Sequence, residues 1–253
     1  MAIKKIDRLS EKDIRLFHFL HNAKAATAKQ INREIYHYSG ERGMTNRLRR
    51  LVVENWIKSN SFVVGGSGRN YYCLTNYAFS KFVKDAGVVR SELSTQFPLH
   101  DTTLVDIQSR LISSGLAKEY VFENELQTWR CYSDDPRLSA FRSRRCDGVA
   151  KIDFGKDIWI GVEYESSTKS KGRYFDILNS LYKNKAITFI IYVCKNNTIL
   201  NRIKSIDNER FSEFVPKIFY ITLNDLLVSD SIVFLSRDLR SLIFDSNKKA
   251  FVK

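Results

Sequence analysis

Asp147, Glu163, Glu165 and Lys169 are the residues of this chain whose types and spacing could do chemistry. Glu163 and Glu165 stand two positions apart in IGVEYESSTKS, residues 160–170, an otherwise apolar, strand-like run. Side chains at i and i+2 share one face of a strand, so this spacing gathers both carboxylates on one side and sends Ile160, Val162 and Tyr164 to the other. Asp147 lies sixteen residues before Glu163, just ahead of Gly148, and Lys169 follows where the strand gives way to a helix. Clustered carboxylate oxygens suit Mg²⁺ or Mn²⁺, which hold a phosphate oxygen and lower the pKa of a bound water. Such spacing builds a small acidic site rather than scattering charge over a surface. By itself the pattern D…ExE…K is short, and a hairpin with solvated acids reproduces it.

The elements that must position these residues are legible around them. FRSRRCDGVAKIDF and KDIWIGVEYES read as two β runs joined at Gly155-Lys156, a hairpin that sets Asp147 near the glutamates. SKGRYFDILNSLYKNK is amphipathic through Tyr174, Leu178, Leu181 and Tyr182, and ITFIIYVC is a continuous apolar strand of the fully buried kind. A helix from Asn197, the strand KIFYITL, and the segments DLLVSD and SRDLRSLIF follow. Upstream, a helix is expected from Thr103 through LVDIQSRLISSGLA, while VFENELQTW reads as a strand or an irregular segment. This order describes an α/β sandwich with a mixed central sheet over residues 103–253. Residues 91–102, with Pro98 as punctuation, read as a linker.

Charge separates what lies before the linker from what lies after it. Residues 1–90 hold 17 basic and 7 acidic side chains, a net +10, whereas the remaining 163 residues hold 24 and 21. A basic module joined to a near-neutral one implies that the first part grips a polyanion. Within it, Ser10 with Asp13, and Thr27 with Gln30, are capping signatures that open two helices. A break at Ser39-Gly40 precedes a third helix, with Met44, Leu48, Leu51 and Val52 on one stripe. Arg42, Thr45, Asn46, Arg49 and Arg50 fall largely on its other sides. IKSNSFVV and RNYYCL, separated by Gly65-Gly66-Ser67-Gly68, then form a hairpin flanked by Lys58 and Arg69. Three short helices and a hairpin are the order of a winged helix-turn-helix, whose third helix enters the major groove of duplex DNA. Arginine, asparagine and threonine are the types that read base edges or hold phosphates. The alternative is an amphipathic helix whose arginines only meet solvent.

Several classes are disfavoured. No apolar run approaches the roughly 20 residues that span a bilayer, and MAIKKIDRLSEKD lacks the apolar core of a secretory signal. Cys73, Cys131, Cys146 and Cys194 form no CxxC pair, so structural zinc is not expected and reduced thiols in a cytosol are.

The acidic constellation resembles the PD-(D/E)xK, restriction-endonuclease-like nucleases. In that pattern Cys146 stands at the proline, and Glu165 occupies the usual lysine position, so Lys169 is read as a displaced lysine, with Lys171 or Lys151 as substitutes. The wider stretches LHDTTLVDIQSRL, ENELQTWR, RRCDGVAKI and GVEYESSTKSKGRY are similar to the replication-relaxation proteins and MOBC-type plasmid relaxases, over about residues 8–195. That resemblance implies a winged helix, a nuclease-like domain, and a metal site of Asp147, Glu163 and Glu165 with Lys169 beside it. It also implies one-strand nicking at an origin on duplex DNA during plasmid mobilisation, with accessory relaxosome and coupling proteins as partners. His100 and Asp101 match a family pair, and Arg173 and Tyr174 stand where phosphate contact or packing is open. The implied nucleophile is water, leaving no protein attached to DNA. A non-catalytic origin-binding replication or copy-number regulator and a double-strand restriction-type nuclease are the alternatives.

Overall fold

A computed structural model describes residues 8–37, 40–64, 66–84, 86–88, 93, 95–230, 232–244 and 250–252. Ser39, Gly65 and residues 91, 92 and 94 of the expected linker lie outside them. The chain has a mixed α/β fold with two sheets and packs as two compact units. One unit is Met1–Asp106 with Asn124–Asp134; the other is Ile107–Glu123 with Asp135–Lys253. Among the described residues no helix is long and apolar enough to cross a membrane.

In the first unit, α1 (Glu11–Ala23) starts from a complete capping box: Asp13 N–H donates to Ser10 Oγ and Ser10 N–H to Asp13 Oδ2. A two-residue strand, β1 (Ala26–Thr27), leads into α2 (Ala28–Ile31), which is capped reciprocally by Thr27 and Gln30 and continued by a π-turn over Asn32–Tyr36. Helix α3 (Glu41–Val53) buries Met44, Leu48 and Leu51, and with Leu16, Phe17, Leu20 and Ile31 these form the core. Each such side chain contributes about 1.5–3 kcal/mol by leaving water. Strands β2 (Ile57–Val64) and β3 (Ser67–Leu74) form an antiparallel hairpin, with β1 on the outer side of β3, and α4 (Asn76–Phe82) follows, capped by Thr75.

The start of α5 (Pro98–Ser113) is held within this unit: Gln30 Nε2 donates to Thr102 O at 2.7 Å, and Arg33 pairs with Asp106 at 3.1 Å. Pro98 thus opens a helix, where its missing N–H costs nothing. Residues 124–134, most of α6 (Glu123–Thr128) and all of α7 (Arg130–Ser133), pack on the same core. Asn124 Nδ2 donates to His21 O at 2.6 Å, Trp129 Nε1 to Asn22 Oδ1 at 2.7 Å, and Trp129 bridges Val88. VFENELQTW is therefore strand only as far as Phe122.

The second unit is built on an eight-stranded sheet in the order β11-β10-β9-β8-β7-β6-β5-β4. Strands β4 (Glu119–Phe122), β5 (Gly148–Asp153) and β6 (Asp157–Glu165) are antiparallel neighbours. The run FRSRRCD is not strand: Ser139–Arg144 forms α8, anchored by buried Phe141 and ended by Arg145 at φ 58°. Helix α9 (Lys171–Lys183) crosses to β7 (Ile190–Cys194), parallel to β6, and α10 (Asn197–Phe211) crosses to β8 (Ile218–Thr222), parallel to β7. Every residue of β7 and β8 is buried, as central parallel strands require. Helix α11 (Leu223–Val228) and antiparallel strands β9 (Phe234–Leu235), β10 (Ser241–Phe244) and β11 (Ala250–Val252) complete the sheet. Buried Asp207 ties this end together, accepting from Tyr182 Oη at 2.8 Å, Tyr220 Oη at 2.9 Å and Arg237 Nη1 at 3.0 Å.

Candidate functional site

The β5–β6 register sets the site. Gly148 pairs with Val162, so Asp147, one residue before β5, stands across from Glu163. Its carboxylate does more than sit there: Oδ2 accepts the backbone N–H of Tyr164 at 2.7 Å, closing the ladder where the strand pairing ends. Along β6, Glu163 and Glu165 share one face, and Ile160, Val162 and Tyr164 are buried on the other. Parallel pairing with β7 places Tyr192 beside Glu163 and Cys194 beside Glu165.

Glu163 is 19% exposed at its side chain and carries the strongest electrostatic perturbation among the acids described. Burial, and then the charge of Asp147, push its carboxyl up to about 8, against the opposing pull of the Arg144 guanidinium, a Cys146 thiol hydrogen bond and Lys169. Arg144, 12% exposed, brings Nε to 3.5 Å from Glu163 Oε1 and donates through Nη1 to Ile177 O. Burial also pushes the Cys146 thiol well above its ordinary range, so it is a proton donor here rather than a thiolate. Glu165 is more deeply placed, 5% exposed, and pairs with Lys169 Nζ. The three carboxylates thus have three different partners: a backbone amide, an arginine and a lysine.

Lys169 reaches back to the strand, as its spacing suggests, and lies 5.9 Å from the centre of the Tyr174 ring. Lys171 instead pairs with Glu209 at 2.8 Å. Lys151 lies near Glu119 and Asp157, over the Trp159 ring. Tyr174 is buried, accepting from Lys169 N–H at 3.1 Å and donating to Ser167 O, while exposed Arg173 sits in the first turn of α9. His100 and Asp101, 3.4 Å apart, belong to the first unit.

In that unit Arg42, Thr45, Asn46 and Arg49 are exposed along α3, Arg50 is half-buried, and Lys58 and Arg69 are exposed on the hairpin. Arg47 behaves differently: it turns inward and pairs with fully buried Asp13, which Tyr36 Oη also contacts. Reading α3 by its stripe does not separate Arg47 from its neighbours, because its partner is supplied by α1.

Sequence reasoning missed Arg144 and Tyr192 as neighbours of the acids. Their signal is only the residue type, since α8 and β7 bring them in from separate elements. Among the described residues no group of three or more His, Cys, Asp and Glu side chains converges to hold a metal ion. Comparison with protein families, curated proteins and solved structures found no match.

Proposed function

We propose that this chain is a metal-dependent DNA endonuclease that nicks one strand at an origin-like site, in the manner of a relaxase. The observation that carries the reading is the Asp147–Glu163 pair: two acids set opposite each other across a hairpin, with Glu163 perturbed by burial and by its neighbour. Such perturbation marks functional acids more often than structural ones. Two carboxylates suffice for Mg²⁺ or Mn²⁺, which commonly keep water and substrate phosphates as their other ligands. When bound, the ion supplies charge neutralisation of the phosphodiester and acidification of water.

The chain's own residues do the rest. Asp147 and Glu163 hold the cation, Glu165 fixes Lys169 at the strand–helix junction, and Lys169 offers positive charge to the phosphate. The first unit supports the other half of the reading: α1, α2 and α3 followed by the β2–β3 hairpin suit a winged helix, and exposed Arg42, Asn46 and Arg49 suit a groove. Duplex DNA is the partner this chemistry requires, and cytosolic DNA of a mobile element fits the resemblance, as do relaxosome and coupling proteins. Water is the nucleophile, because Tyr164 is buried on the opposite face of β6 and Tyr174 is buried with its hydroxyl committed to Ser167.

The second reading, a DNA-binding regulator without catalysis, is favoured by one observation: Arg144 and Lys169 already occupy Glu163 and Glu165. Incubation with supercoiled plasmid and Mg²⁺ or Mn²⁺ separates the readings. An open circle supports the nickase and a linear product a restriction-type nuclease, while binding without any cut supports the regulator. Asp147→Ala and Glu163→Ala should lose cutting by at least about 100-fold with DNA binding retained, since one lost ligand opens a hard-cation site.

A further inference from the structure

Arg144, at the C-terminal end of α8, faces Glu163 without closing a hydrogen bond to it. Its Nε lies 3.5 Å from Glu163 Oε1, beyond the roughly 2.7–2.9 Å of a closed arginine–carboxylate bond, and this buried N–H has no hydrogen-bond partner among the described residues. Two other arginines with fully buried acid partners do close the bond. Arg47 Nε donates to Asp13 Oδ1 at 2.9 Å, and Arg237 Nη1 donates to Asp207 Oδ1 at 3.0 Å. A buried pair that only supports the fold closes in this way, because an open one leaves its desolvation cost partly unmet.

The guanidinium is held from elsewhere. Nη1 donates to Ile177 O on α9 at 3.2 Å, and α8 itself is anchored by buried Phe141. Both helices belong to the second unit, as does the strand that carries Glu163. The Arg144 side chain is 12% exposed, so little water screens its charge. Arg144 thus presents a fixed positive charge to Glu163 and lacks the hydrogen bond that would close the pair. Lys169 is placed differently, since its ammonium is paired with Glu165.

We infer that Arg144 sets the affinity of the acid pair for its divalent cation, holding it low until a DNA phosphodiester arrives. The inference rests on the nuclease reading, in which Asp147 and Glu163 hold the cation, and adds to it the order of occupancy. Occupying Glu163 Oε1 breaks no hydrogen bond from Arg144, but it sets two like charges at short range. The phosphodiester brings the negative charge that relieves this repulsion. Cation and DNA therefore fill the site together, and each tightens the other by the same factor. Arg144 acts through Glu163 and touches neither the substrate nor the reacting atoms.

The test uses the full chain, wild type against Arg144→Gln and Arg144→Lys, with Ca²⁺ as the probe at pH 9, where protons compete least for carboxylates. Calorimetry gives the Ca²⁺ affinity of the DNA-free protein, and fluorescence anisotropy gives the affinity for a plasmid-derived duplex in Ca²⁺ and in EDTA. Wild type alone should bind Ca²⁺ with a Kd of about 0.1 mM or weaker. Its duplex affinity should rise at least about 10-fold from EDTA to Ca²⁺. Arg144→Gln should bind Ca²⁺ about 10-fold tighter than wild type without DNA, whereas Arg144→Lys keeps the charge and should match wild type. An arginine that only supports the fold gives weaker Ca²⁺ binding in both variants, and that result overturns the inference and leaves the nuclease reading standing. So does an Arg144→Gln affinity equal to that of wild type. If thermal unfolding shows that Arg144→Gln does not fold, the wild type decides: a Kd tighter than about 0.1 mM without DNA overturns the inference. Wild-type protein that neither cuts with Mn²⁺ nor changes its duplex affinity with Ca²⁺ overturns both.

Discussion

Glu163 is the residue on which the site's electrostatics turn, and its titration has a sign that can be measured. Its carboxyl ionises at about 8 in the folded chain against an ordinary 4.5. Between those values the folded state keeps a proton that the unfolded state has released, so this group's contribution is full below about pH 4.5 and is lost as pH rises through 8. Glu163→Gln carries no charge at any pH and escapes that loss. Relative to wild type it should therefore gain stability from about pH 5 to pH 9, by at least about 1 kcal/mol at the upper end. Urea unfolding across that range checks it, and parallel curves for the two proteins would mean that the acid ionises normally. Tyr120 belongs to the same scale. Its buried hydroxyl has no hydrogen-bond partner among the described residues, and such a group costs about 1–3 kcal/mol, so Tyr120→Phe should gain stability in urea unfolding.

Helix α3 illustrates how elements divide work among similar residues. Arg47 is bound to Asp13, which is fully buried on α1. Arg47→Ala strands that carboxylate and should cost about 3–5 kcal/mol in chemical denaturation. Arg49→Ala with Arg50→Ala should instead leave stability within about 1 kcal/mol and weaken duplex binding, flattening the log-log salt dependence by about 0.9 for each phosphate no longer neutralised. Equal salt slopes in mutant and wild type would remove these two arginines from the DNA interface. What the sequence made legible follows from the range of the signal. Both capping boxes are contained within four residues, and both formed. Glu163 and Glu165 share a face because strand periodicity is local, and the glycine turn placed Asp147 opposite. Arg144 and Tyr192 were invisible because their places beside Glu163 depend on which elements become neighbours. Helix α8 was misread because ArgSerArgArg has no apolar period, and its one anchor, Phe141, fits a strand as readily.

At the scale of the molecule, the first unit is not continuous in the chain. It takes residues 124–134 to complete a core that otherwise ends at Asp106, and Trp129 is the largest side chain in that return. A fragment of residues 1–90 therefore lacks Trp129, Asn124 and the Thr102 and Asp106 partners of α2 and the π-turn. It should melt lower than a fragment of residues 1–134 by roughly 10 °C, the equivalent of about 2 kcal/mol in a module of this size. Equal melting temperatures would show that the returning segment adds nothing. Residues 196–253, which fall outside the sequence resemblance, supply half the strands of the large sheet and the Arg237–Asp207 pair. This interleaving also sets a schedule for synthesis. As the nascent chain leaves the ribosome, β4 emerges before the segment that closes the first unit, and its sole sheet neighbour, β5, is translated later still. For that interval the newborn polypeptide carries a finished α3, an unfinished core and a strand with nothing to pair with. A pause in translation between codons 123 and 148 is thus where this protein is most exposed to misassembly.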